Sequence, residues 1–86
     1  MIKVERKNQN EFLVTVKEGS SSTKHNVTLD EEYYQKLTKG RMSKEELIEK
    51  SFVFLLARES KESILSTFNL QVIKRYFSEY ESRISI

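Results

Sequence analysis

Residues 11–29 read EFLVTVKEGSSSTKHNVTL, and this stretch decides the fold. Phe12, Val14 and Val16 occupy every second position within 11–18, and Val27 and Leu29 fall on one face of 23–29, which is the period of a strand with one buried face. Gly19 and the serines that follow it separate the two runs, as a hairpin turn does. The stretch therefore predicts an antiparallel β-hairpin, and residues 2–6 are a weaker candidate for a third strand.

Helix signals begin directly after the hairpin. Asp30 fits the N-cap position of a short helix that ends at Gly40, a normal C-terminal stop. Ser43 followed three residues later by Glu46 forms a capping box, which predicts a second helix that runs to about Arg58. This helix is apolar on more than one face, so either the rest of the chain or a second chain must cover it.

The C-terminal third also has helical spacing. Ser60 fits the cap of a short turn, and Asn69 fits the cap of a last helix in which apolar residues recur at i, i+3, i+4 and i+7. The residues predicted to form the core or an interface are Ile48, Phe52, Phe54, Leu55, Ile73, Tyr76, Phe77 and Tyr80.

The predicted architecture is a single α+β domain over residues 1–86. An N-terminal antiparallel hairpin at 11–29, with two or three strands in all, is followed by three to four short helices over 30–81. Residues 82–86 are predicted to be a frayed tail.

Composition narrows the functional classes. The chain has 86 residues, a formal net charge of +2 and no cysteine, which excludes cysteine-ligated zinc, redox dithiols and thiol nucleophiles. The charged N-terminus has no apolar stretch behind it, and the longest apolar run is far below the roughly 20 residues needed to span a bilayer. We therefore expect a cytoplasmic protein without a membrane segment.

Catalytic constellations are absent from the sequence. His25 is the single histidine and Asp30 the single aspartate, and the carboxylate pairs at 31–32 and 45–46 fall in the first turns of predicted helices, where acids favour the helix dipole. No glycine-rich phosphate loop and no set of metal ligands is present. We expect a protein that is not an enzyme and has no cofactor and no metal.

Residues 24–58 resemble the ribbon-helix-helix pattern of small bacterial repressors and antitoxins. The residues that carry the resemblance are Val27, Leu29, Asp30, Leu37, Gly40, Ser43, Leu47 and Ile48. The resemblance implies a dimer whose paired strands enter the major groove of DNA. Lys24, Asn26 and Thr28 would then contact base edges. Ser43 and Lys44, at a helix N-terminus, would meet a phosphate.

Two hypotheses therefore stand side by side. The first is a small protein-interaction module whose partner is another protein or a second copy of the chain. Here Lys24, Asn26 and Thr28 are only the solvated face of the hairpin. The alternative is a ribbon-helix-helix-like dimeric regulator that binds DNA.

Overall fold

The α+β architecture is a four-stranded sheet with helices packed against one face. A computed structural model describes residues 1–85. The strands and helices are β1 (Ile2–Arg6), β2 (Glu11–Glu18), β3 (Ser21–Thr28), α1 (Glu31–Thr38), α2 (Lys44–Leu56), β4 (Thr67–Asn69), α3 (Ile73–Tyr76) and α4 (Tyr80–Ile84). Two short 3-10 helices cover Lys61–Ser63 and Leu70–Val72.

The sheet follows the order of the chain, β1-β2-β3-β4. The predicted hairpin is confirmed: β2 and β3 pair antiparallel, and Gly19 has a positive φ of 61° in the turn between them. The predicted third strand is also confirmed, since β1 pairs antiparallel with β2 at one edge. Two of the serines assigned to the turn, Ser21 and Ser22, belong to β3 instead.

The core lies between the inner face of the sheet and α2. Phe12, Val14 and Val16 point inward from β2 and are fully buried. Ile48 and Phe52 of α2 are fully buried against this layer, as expected for a helix covered by its own chain. Burial of a large apolar side chain stabilises the folded state by about 1.5–3 kcal/mol, so each large side chain of this layer contributes on that scale.

The two predicted helix starts are both present, with different chemistry. The capping box at α2 is confirmed, because the Glu46 backbone N–H donates to Ser43 Oγ at 3.0 Å and the Glu46 carboxylate accepts from the Ser43 N–H. Asp30 occupies the N-cap of α1, but its side chain makes no cap hydrogen bond. Its carboxylate instead accepts from the side chains of Asn69 and Gln71, which ties α1 to the C-terminal segment.

The C-terminal third differs from its prediction. The prediction of a single last helix is wrong, because Phe77 is extended, with φ −133° and ψ 99°, and separates α3 from α4. Residues 67–69, predicted within a helical region, form β4 parallel to β3. Most of the predicted frayed tail belongs to α4, where Ile84 is buried; Ile86 lies outside the described residues.

The helices of the described chain are short. Across residues 1–85, none has the length and apolar character that crossing a bilayer requires.

Candidate functional site

An apolar groove of about 300 Å³ opens between the end of α2, the segment 63–68 and α3. Its lining residues are Leu55, Glu59, Ser63, Ile64, Leu65, Phe68, Val72, Ile73, Tyr76 and Phe77. Two of them are unusually exposed for apolar residues, Leu65 at 47% and Tyr76 at 68%. A concave apolar surface rimmed by exposed aromatic and aliphatic side chains is typical of a binding site.

One wall of the groove is held by the buried histidine. His25 Nδ1 lies 2.8 Å from the Leu65 carbonyl oxygen, and His25 Nε2 lies 2.8 Å from Thr23 Oγ1. A carbonyl only accepts, so Nδ1 carries a proton and donates to it, while the Thr23 hydroxyl shares a hydrogen bond with Nε2. His25 also packs on Phe52, with ring centroids 5.4 Å apart. The histidine thus fixes the backbone that presents Leu65 at the rim.

The opposite wall is anchored by the C-terminal helices. The Tyr80 hydroxyl lies 2.6 Å from Ser51 Oγ of α2, and both residues are fully buried. Phe54 of α2 meets Phe77 and Tyr80 edge to face, at centroid distances of 5.8 and 5.3 Å. Burial is the main reason that the pKa of Tyr80 is raised, so its hydroxyl stays protonated. These contacts hold α3, and with it Tyr76, beside the groove.

The groove has an acidic character at one point. Among its lining residues in the described chain, Glu59 is the single charged side chain, and it forms no ion pair. The neighbouring Arg58 is already engaged: its guanidinium stacks on Phe54 at 3.6 Å and pairs with Glu79 at 3.2 Å. Among the lining residues of the described chain, Glu59 is therefore a charge without an ion-pair partner.

The residues predicted from the ribbon-helix-helix resemblance are distributed over two places. Lys24, Asn26 and Thr28 share the outer face of the sheet, where the first two are exposed and Thr28 is partly buried. Ser43 is exposed and serves the capping box. The prediction for Lys44 needs correction, because Lys44 is only 8% exposed, pairs with Glu31 at 2.8 Å and donates to a backbone carbonyl.

The strand that would form an intermolecular ribbon is internal to the sheet. Hydrogen bonds to β2 occupy one edge of β3, and hydrogen bonds to β4 occupy the C-terminal part of the other edge. At least the segment Asn26–Thr28 therefore has no free edge on which to pair with a second copy.

The predicted core or interface residues separate by burial. Ile48, Phe52, Phe54, Leu55, Ile73 and Tyr80 are buried, Phe77 is partly buried and Tyr76 is exposed. Sequence reasoning missed Glu59, Leu65, Phe68 and Val72 as parts of one surface. Nothing local marks them, because the groove exists only once β4 docks beside β3.

A second, larger cleft of about 690 Å³ is polar, and the two lysines that line it, Lys36 and Lys74, both pair with Glu81. The Tyr33 hydroxyl donates to Glu81 at 2.7 Å, and Lys36 and Lys74 approach the same carboxylate. These partners keep the pKa of Glu81 below its usual range. In the described part of the chain, no three acidic, histidine or cysteine side chains gather as a metal site would require.

Comparison of the chain with models of protein families, with curated proteins and with solved structures finds no match.

Proposed function

We propose that this chain is a protein-interaction module that binds a peptide segment of another protein in the groove between α2 and α3. The observation that carries the proposal is the pair of exposed apolar residues, Leu65 and Tyr76, at the rim of a 300 Å³ apolar cavity. Exposed apolar side chains cost little singly, but a contiguous patch around a concavity marks a binding surface.

Charge and volume define the chemistry of the partner. A cavity of this size accepts one or two large apolar side chains, which serve as the anchors of the peptide. Glu59 lies in the lining without an ion pair, so a lysine or arginine beside the anchor completes the contact. The proposed ligand is a segment with an apolar anchor and an adjacent basic residue.

The alternative regulator of the ribbon-helix-helix type finds less support. That arrangement needs the strand at 23–29 to pair with its twin, whereas β3 already bonds β2 and β4 on its two sides. The groove requires no such rearrangement, because its walls are held by contacts within one chain.

The test is a selection from a displayed library of random peptides on the immobilised wild-type protein, with the double variant Leu65→Ser/Tyr76→Ser as the counter-selection. The two residues are exposed, so their substitution removes the rim without opening the core. We expect recovered peptides to share an apolar anchor next to Lys or Arg. In a solution titration, each single variant should bind about tenfold more weakly or worse, as truncation of a binding hot spot does.

Val53→Ser is the matched control. Val53 is an apolar residue of α2 that is 57% exposed and does not line the groove, so its loss should leave the peptide affinity unchanged. An equal loss on Val53→Ser would contradict the proposal, as would a selection without a shared anchor. A wild-type dimer that Leu65→Ser dissociates would contradict it too, because the occupant would then be a second copy.

A further inference from the structure

The outer face of the sheet is open, and lysines gather at one end of it. Lys3 and Lys24 lie directly opposite Thr15 from the two sides, and Lys17 is two residues further along β2 on the same face. All three lysines are exposed. The helices cover only the inner face, where Phe12 and Val14 lie.

These three ammonium groups are not neutralised locally. Within residues 1–85, none of Lys3, Lys17 and Lys24 forms an ion pair, whereas Lys44 and Lys61 both do. Of the acidic residues on the outer face, Glu5 lies two residues from Lys3 on β1, opposite Leu13, and Glu11 lies further away, opposite Thr28. The lysine end of the sheet thus carries three positive charges with one glutamate at its border, and its net positive charge attracts a polyanion.

The spacing of the lysines, and the side chains that lie between them, favour duplex DNA as the polyanion. Lys3 and Lys24 are two strand spacings apart, about 10 Å, which is close to the width of about 12 Å of the major groove of B-DNA. Thr15 between them and Asn26 beside them offer hydrogen-bonding groups. The described strands place no aromatic residue on this face for stacking unpaired bases, and its apolar side chains, the half-buried Leu13 and the exposed Met1 opposite Lys17, are too few for insertion into a lipid layer.

We propose that the lysine face, defined as Lys3, Lys17 and Lys24 around Thr15, binds the phosphate backbone of duplex DNA. Lys7, whose ammonium group donates to Asn26, extends the same face. This surface is formed by one chain and lies on the opposite side of the sheet from α2, so it is separate from the groove and its binding does not depend on the proposed peptide. It uses Lys24 and Asn26 without a strand ribbon.

The experiment is fluorescence anisotropy with a labelled DNA duplex of mixed sequence at several salt concentrations. Three phosphate contacts predict a slope of about −2.7 for log affinity against log salt, or a loss of about 40-fold between 50 and 200 mM salt. Lys3→Ala, Lys17→Ala and Lys24→Ala should each flatten the slope by about one and weaken binding. Glu5→Gln should strengthen binding, because it removes the nearest negative charge on the face.

Lys50→Ala is the matched control, since Lys50 is an exposed lysine of α2 on the other side of the molecule and its loss changes the net charge equally. It should leave duplex binding and the salt slope unchanged. Equal weakening by Lys50→Ala would overturn the proposal, because binding would then follow net charge alone. Absence of duplex binding at 50 mM salt would also overturn it, as would a preference for vesicles containing phosphatidylserine or for a single strand of the same length.

Discussion

The lysine face and the apolar groove are built in opposite ways. The lysine face follows from alternation along strands that pair with their neighbours in sequence, β1 with β2 and β2 with β3. The groove is lined by residues of one stretch, 55–77, but it forms only when the crossover brings β4 back beside the distant β3. The lysine face therefore depends on local strand pairing, whereas the groove depends on the tertiary core.

The largest expected effect comes from a core substitution that destabilises both surfaces together. Phe52 is fully buried and packs against His25 of the sheet and Phe68 of the groove, at ring centroid distances of 5.4 and 6.1 Å. Phe52→Ala should lower the free energy of unfolding by about 3–5 kcal/mol, since it removes contacts and leaves a cavity. Urea denaturation measures the change, and Val53→Ala should stay within about 0.5 kcal/mol of wild type. A loss below about 1 kcal/mol for Phe52→Ala would show that the core does not join the surfaces.

The second largest effect should come from a substitution that weakens binding at the groove and not at the lysine face. His25→Leu leaves the Leu65 carbonyl and the Thr23 hydroxyl without their partner and should cost about 1–3 kcal/mol. Because the lost hydrogen bond fixes the rim of the groove, peptide affinity should fall. Duplex binding should stay unchanged, since Lys24 points to the other face. Parallel titrations with both ligands check this, and equal weakening of the two would contradict the separation.

Ser43→Ala should destabilise the protein without touching either surface. Loss of the capping box at α2 should cost about 1 kcal/mol in denaturant unfolding. The ribbon-helix-helix hypothesis places Ser43 on a phosphate, whereas the lysine face does not include it. Unchanged duplex affinity for Ser43→Ala therefore supports the sheet surface, and a marked loss would favour the helix N-terminus as the DNA contact.

Acid should act on the C-terminal segment, where carboxylates are paired. A hydrogen bond from Tyr33, together with Lys36 and Lys74, lowers the folded-state pKa of Glu81 from its usual value of 4.5. A carboxylate whose pKa is lower in the folded state than in the unfolded state stabilises the fold when the pH is above the unfolded-state pKa. This contribution is lost as the pH falls through the folded-state pKa. The free energy of unfolding should therefore be lower at pH 3 than at pH 6, and Glu81→Gln should reduce that difference. An identical pH dependence in the variant would exclude Glu81 as a contributor.

The sequence predicts the first two thirds of the fold well, because local signals and tertiary contacts agree there. The alternation over 11–18 and 23–29, the turn at Gly19 and the capping box at Ser43 each have a local physical cause. In the C-terminal third, the local signals and the tertiary contacts disagree. Apolar residues from Ile73 to Tyr80 do recur at helical spacing, but the chain is extended at Phe77, and Tyr80 is buried against Ser51.

The two candidate surfaces also differ in how well the sequence predicts them. Lys24 and Asn26 can be placed on an outer face from alternation alone, and the structure places them there. The groove could not be predicted, because Leu65 and Phe68 have neighbours only after a three-residue strand joins a distant one in parallel. Lys44 shows the limit of local reasoning: its position at a helix start suggests a free cation, yet Glu31 and a backbone carbonyl bind it.

The most direct measurement is an NMR titration of the isotope-labelled protein with a peptide recovered from the selection. Binding in the groove should shift the amide signals of Leu65, Phe68 and Tyr76 and leave those of Thr15 and Lys24 in place. Glu59→Gln should weaken the affinity about two- to fivefold, the scale of a partly exposed ion pair. Shifts confined to the sheet face, or persisting in the Leu65→Ser/Tyr76→Ser variant, would contradict the groove as the binding site.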